Sequence, residues 1–182
     1  MALERTDSYL KDSTGVFRYY KKLGENAIAQ CPDAGLVALL DEQSNSIATI
    51  VKHLHGNMIS RWTDFLTTDG EKPTRNRDAE FEEPPKTRAE ILDLWDAGWK
   101  CVFTALERLS DSDMSKTVTI RGEAHSVMQA VDRQVAHYIY HVGQIVLLAR
   151  HYTGANWKSL TIPKTKSQEF NADVAAGKKS QR

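Results

Sequence analysis

Two histidines, His137 and His141, lie four residues apart in the segment RQVAHYIYHVGQI. On a helix, four residues advance the chain by about 6 Å and turn it by about 400°, so both imidazoles are within reach of one metal ion. The rings follow the same line as Gln134, beside the apolar positions Tyr138 and Val142, which places them at or near a helix interface. Because a buried imidazole needs a partner, the pair predicts either metal ligands or hydrogen-bonded core histidines.

A third ligand has to come from another helix, and the second predicted helix carries His53 and His55. On a helix these two side chains point about 200° apart, so only one of them can face a given point. His53 borders the apolar stripe of its helix, whereas His55 falls on the opposite side and is expected at the surface. Three neutral imidazoles suit zinc, nickel, iron or copper, and they leave at least one coordination position for water or substrate.

The elements that must position these residues are four amphipathic helices. Apolar residues recur every three or four positions over residues 7–30, 44–67, 87–110 and 126–152. A charged crossover with three prolines separates the second and third helices, and residues 116–123 alternate like a strand. Helices that are apolar on one side bury those sides most simply against one another. The predicted fold class is therefore all-α: a four-helix bundle with a long crossover between helices 2 and 3 and a short strand or hairpin before helix 4.

The amino-acid composition limits which binding partners and which cellular compartment are expected for the protein. The 182 residues carry 24 basic and 24 acidic side chains, and neither sign is concentrated in one half. This balance argues against nucleic acid and anionic membranes as partners. The chain has no run of about 18 apolar residues and no signal-peptide pattern at its start, so we expect a cytoplasmic protein. The two cysteines are too few for a disulfide framework, and no glycine-rich phosphate loop or GxSxG motif is present.

Other polar residues are candidates for supporting roles at the histidines. Gln134 and Gln144 could orient the imidazoles, and Asn57 could lie near a bound metal. Arg75 and Arg77, in the crossover over residues 69–86, could contact a carboxylate or phosphate of a ligand. The alternative for each of these residues is that it is a polar residue at a helix boundary or on the surface, with no role at the histidines. The sequence names no catalytic residue.

Three segments, VKHLHGNMISRW, DGEKPTRNRDAEFE and RQVAHYIYHVGQI, together resemble the DinB/YfiT-like superfamily, in particular an uncharacterised bacterial branch of it. The likeness covers about residues 5–171, with the segments in the family's order. It implies a single bundle domain over residues 1–171, crossed connectivity and a homodimer. The polar residues 172–182 are expected to form a flexible tail. The resemblance also implies a divalent metal (zinc, nickel or iron) held by one histidine of helix 2 and two of helix 4, which in this chain are His53, His137 and His141.

The superfamily includes enzymes that transfer or use low-molecular-weight thiols, and this gives the first functional hypothesis. The metal would lower the pKa of a thiol or water, and the resulting nucleophile would attack a small electrophilic substrate, by thiol S-transfer or, as second choice, hydrolysis. The second hypothesis is a non-catalytic dimeric module that binds a metal or a small ligand in stress physiology. The third is a purely structural bundle whose histidines are satisfied by hydrogen bonds.

Overall fold

The computed structural model describes residues 6–180, and most of these residues are helical. In chain order the elements are α1 (Tyr9–Gln30), α2 (Asp33–Val37), α3 (Ile47–Trp62), α4 (Arg88–Leu106), the strands β1 (Thr117–Ile120) and β2 (Glu123–Ser126), α5 (Val127–Thr153) and α6 (Ser167–Ala175). Short 3-10 turns lie at Asp78–Phe81, Asp111–Asp113 and Gly154–Asn156. The prediction of a mainly helical fold is confirmed. None of the described helices combines the length and the apolar character that crossing a membrane requires.

The four long helices, α1, α3, α4 and α5, begin where the sequence offers caps. The side chains of Ser8, Ser46, Thr87 and Ser126 each accept a hydrogen bond from a backbone N–H three residues further on. The capping box predicted at Thr87 is present, and Ser126 starts α5 with a second one. At the other end of α5, Gly154 has a φ of 57°, a conformation that favours glycine and ends the helix as predicted.

The second predicted helix is shorter than its apolar pattern indicated. It was expected over residues 44–67, whereas α3 ends at Trp62. Thr63 already has extended backbone, with a ψ of 127°, and Asp64 after it has a φ of 48°, so the helical conformation is not resumed. Phe65 nevertheless packs against Trp62 with tilted rings whose centroids are 4.9 Å apart, and so continues the apolar stripe from outside the helix.

Other parts of the chain also hold elements that the sequence did not predict. The short helix α2 follows α1, the crossover over residues 69–86 contains the Asp78–Phe81 turn, and α6 runs from Ser167 into the start of the predicted tail over 172–182. The predicted domain includes residues 1–5 and the predicted tail includes residues 181–182, all of which lie outside the described residues. The predicted hairpin is present, and its strands β1 and β2 pair antiparallel.

One aromatic side chain from each long helix contributes to the centre of the core. Phe17 of α1 packs against the rings of Trp62 in α3, Trp99 in α4 and Tyr138 in α5, at centroid distances of 5.8, 6.1 and 5.7 Å. Trp62 Nε1 donates to the Tyr138 hydroxyl at 2.9 Å, and this hydroxyl donates to Asn57 Oδ1 at 3.1 Å. Tyr138 is thus bonded to two residues of α3, which fixes the register between α3 and α5.

Candidate metal centre

The three histidines predicted as ligands lie together between α3 and α5. The Nε2 atoms of His53 and His141 lie 3.2 and 3.1 Å, respectively, from His137 Nε2. One ring nitrogen from each residue lies within 4.8 Å of the other two, which is close enough for all three to bind one metal ion. His53 is buried, and the other two histidines are half-buried.

Hydrogen bonds on the far side of two rings decide which nitrogens are free. His53 Nδ1 lies 2.8 Å from Glu80 Oε2, and His141 Nδ1 lies 2.8 Å from Gln144 Oε1. Because both oxygens accept, Nδ1 carries the proton when the ring is neutral, and Nε2 then presents its lone pair to the centre. Burial, and then the neighbouring histidines, lowers the pKa of His137 to about 3. Burial likewise lowers the pKa of His141 to about 4, so both rings are neutral near pH 7.

This arrangement fits a divalent metal. His137 Nε2 carries at most one proton, so at most one of its two contacts with the lone pairs of His53 and His141 can be a hydrogen bond. A cation at the centre satisfies all three nitrogens. With metal–nitrogen bonds of about 2.0 Å, tetrahedral ligand nitrogens lie about 3.3 Å apart. The two observed separations, 3.2 and 3.1 Å, are close to that value.

Glu80, to which the sequence analysis gave no role, lies behind His53. Glu80 is 6% exposed, and its carboxylate accepts hydrogen bonds from Arg75 Nε at 2.7 Å and from Arg75 Nη2 at 3.0 Å. Burial opposes its ionisation, but the hydrogen bonds from His53 and Arg75 outweigh burial and hold the pKa of Glu80 below its ordinary value. Phe81 stacks on the His53 ring with centroids 4.9 Å apart, and the Arg77 guanidinium lies 5.2 Å from the Phe81 centroid. The 3-10 turn of the crossover therefore covers one side of the site.

Ion pairs connect this turn to the hairpin. Glu71 Oε2 accepts from Arg61 Nη2 at 2.9 Å, from Arg121 Nε at 3.0 Å and from Arg75 Nη1 at 3.3 Å. The Arg61 and Arg75 side chains are each 5% exposed, whereas that of Arg121 is 54% exposed. Two buried arginines therefore have their charges balanced by two carboxylates, those of Glu71 and Glu80.

The predicted supporting residues differ in whether they touch the histidines. Gln144 bonds to His141, as described above, whereas Asn57 accepts its hydrogen bond from Tyr138. In the described part of the chain, Gln134 Oε1 is buried without a hydrogen-bond partner. It lies beside a cavity of about 10 Å³, large enough for a single water molecule. Neither Asn57 nor Gln134 forms a hydrogen bond with a histidine of the centre within residues 6–180.

His55, the other candidate for the third ligand, does not belong to the cluster. It was expected at the surface but is half-buried, because α4 approaches α3 at this point. A Cβ on Gly98 of α4 would lie 3.4 Å from the His55 Cα. Both cysteines, Cys31 and Cys101, are free thiols, in agreement with the prediction that they form no disulfide.

Fold and site together define a mainly helical protein with a histidine cluster able to hold a metal. A family model described as a protein of unknown function, DUF1572, matches residues 4–166, and the chain belongs to this family. No curated protein matches the chain, and neither does any solved structure. The matched region contains the three histidines and the crossover, but the family description names no activity. The function is therefore inferred from the site.

Glu71→Gln is expected to lower the free energy of unfolding by roughly 3 kcal/mol, because it removes the counter-charge of buried Arg61. Arg121→Gln removes an exposed partner of the same carboxylate and is expected to cost less than about 1 kcal/mol. Urea denaturation of the two variants measures the difference. Equal losses would show that Glu71 does not act as the counter-charge of a buried arginine.

Proposed function

We propose that this protein is a DinB-like four-helix bundle that binds a divalent transition metal, such as zinc, nickel or iron, through His53, His137 and His141. The convergence of three imidazole nitrogens is the observation that carries the proposal. The bundle is supported by the central aromatic cluster, to which each of the four long helices contributes. Metal binding is supported by the hydrogen bonds that keep the protons of two rings away from the centre.

We further propose that the centre serves an enzyme, a thiol S-transferase or, as second choice, a hydrolase. A structural zinc site usually has four protein ligands, whereas the cluster found among the described residues has three. His137 and His141 are half-buried, so a small molecule can approach the centre. When bound, a divalent metal supplies Lewis acidity that lowers the pKa of a coordinated thiol or water and makes it a nucleophile near neutral pH.

The chain's own groups hold this site in one geometry. Glu80 and Gln144 accept the Nδ1 protons of His53 and His141, so the Nε2 lone pairs stay available. Phe81 covers one face of the His53 ring and keeps water away from it. These contacts orient the ligands before any substrate arrives, which is what a site that must bind and release small molecules requires.

Metal analysis tests the first part of the proposal. Protein purified without a histidine tag is expected to bind about one zinc, nickel or iron ion per chain. Alanine at His53, His137 or His141 is expected to lower the affinity by more than about 100-fold, since groups that only orient a ligand already contribute about 10- to 100-fold. His151→Ala, at an exposed position near the end of α5, is the control and should retain wild-type binding. A wild-type stoichiometry far below one that metal addition does not restore would contradict the proposal.

Consumption of an aryl halide in the presence of cysteine, glutathione or coenzyme A tests the proposed reaction. In this reaction a carbon–sulfur bond forms, the halide leaves and the thiol proton passes to solvent. The metal-loaded protein is expected to accelerate the reaction with at least one thiol, and His141→Ala to lower the rate on the order of 100-fold or more. His151→Ala should match the wild type. No metal-dependent turnover with any thiol would contradict the transferase and favour a non-catalytic binding module.

We also propose that the chain forms a homodimer. Tyr140 and Leu147, about two turns apart on α5, are 62% and 64% exposed although both are large and apolar, so they offer a surface that a second copy can cover. Light scattering is expected to give twice the chain mass of 20.5 kDa, and Leu147→Glu to shift the mass toward one chain. Leu39→Glu, at a residue 53% exposed and outside α5, should leave the mass unchanged. A monomeric wild-type protein would disprove the dimer.

A further inference from the structure

We propose that Glu80 is the positioning residue of the metal centre, because it holds His53 with Nε2, and not Nδ1, toward the other two histidines. This inference rests on the metal site proposed above and adds the group outside the ligands on which its geometry depends. Glu80 belongs to the crossover, and His53 belongs to α3. The crossover therefore takes part in the site through a carboxylate, in addition to the arginines that the sequence indicated.

Three hydrogen bonds fix the Glu80 carboxylate. Arg75 donates to Oε1 at 2.7 Å and to Oε2 at 3.0 Å, and His53 Nδ1 donates to Oε2 at 2.8 Å. The Glu80 side chain is 7% exposed and that of Arg75 is 5% exposed, so water does not compete for these contacts. A carboxylate with both oxygens bonded to the same guanidinium has one orientation, and that orientation sets the plane and the protonated nitrogen of the His53 ring.

The local sequence of α3 makes room for this contact. Gly56 lies one turn after His53, and a Cβ at this position would lie 2.7 Å from Glu80 Cδ, closer than side chains normally approach. Phe81, the residue after Glu80, stacks on the same histidine. The 3-10 turn thus contacts both the edge and the face of the His53 ring. His141, in contrast, is held by the neutral amide of Gln144 from its own helix.

A carboxylate suits this position better than an amide. Arg75 presents two donors and His53 Nδ1–H presents a third, and two carboxylate oxygens can accept all three. In Glu80→Gln one oxygen becomes an NH2 group, which donates. The amide then places a donor against either Arg75 or His53 Nδ1. In the second case the His53 proton moves to Nε2, which is the nitrogen that would bind the metal.

Binding of cobalt(II) to the full chain tests the positioning role. In Glu80→Gln, the affinity measured by chelator competition is expected to fall about 10- to 100-fold, and the visible absorption of bound cobalt to change because one imidazole is displaced. Gly56→Ala displaces Glu80 without altering any charge and is expected to give the same changes. Glu71→Gln is the matched control. It also replaces a carboxylate with an amide in the ion-pair network of the arginines, and it lowers stability. Glu71, however, touches no histidine of the centre. Its cobalt affinity and spectrum should equal those of the wild type.

The outcomes separate the positioning role from the metal site itself. Wild-type affinity and spectrum in both Glu80→Gln and Gly56→Ala would overturn the role of Glu80 and leave the metal site standing. A loss of affinity in Glu71→Gln as large as that in Glu80→Gln would also overturn it, since lower stability would then account for both. Absence of cobalt binding by the wild-type protein would overturn the metal site and, with it, the role of Glu80.

Discussion

The hydrogen bond between His53 and Glu80 joins two distant parts of the chain, and the arrangement of the candidate centre depends on it. A carboxylate this deeply buried needs a counter-charge, which Arg75 supplies. Arg75 also contacts Glu71, the shared partner of the other arginines in the network. Glu71, Arg75 and Glu80 of the crossover therefore form a connected set that points inward. For this reason the crossover, whose sequence is typical of a solvated loop, lines one side of the site.

The second constraint is the register between α3 and α5. Tyr138 lies in the aromatic core and bonds to Asn57 and Trp62, whereas its neighbour His137 points to the centre. The side chains of adjacent residues on a helix point about 100° apart around its axis. The core residues and the site residues of α5 therefore lie on neighbouring faces, and the same register positions both against α3. Sliding α5 along α3 by one turn, about 5.4 Å, is a larger displacement than the 3.2 Å between Nε2 of His53 and Nε2 of His137, so the present cluster would be lost. The polar bonds of Tyr138 thus position the histidines.

Periodicity and caps allowed the long helices and the hairpin to be predicted, because these signals report on regular elements with one buried side. The same reasoning extended α3 too far, since Phe65 continues the apolar stripe from a turn. The three histidines were identifiable from spacing and from family likeness. Glu80 was not, because nothing local distinguishes it from Glu82 or Glu83 in the same crossover. Its role arises from contacts with His53 and Arg75, which only the folded chain brings together.

The charges around the centre bear on which fourth ligand it would accept. All three imidazoles are uncharged when their Nε2 lone pairs bind a metal. The negative charge of Glu80 is offset by Arg75, and that of Glu71 by its own arginine partners. The protein thus supplies no unpaired negative charge to this centre from among the residues described above. A divalent cation in such surroundings keeps most of its charge and favours an anion as its remaining ligand. A thiolate and a hydroxide both meet that requirement, so this electrostatic balance supports an anionic nucleophile of either proposed kind.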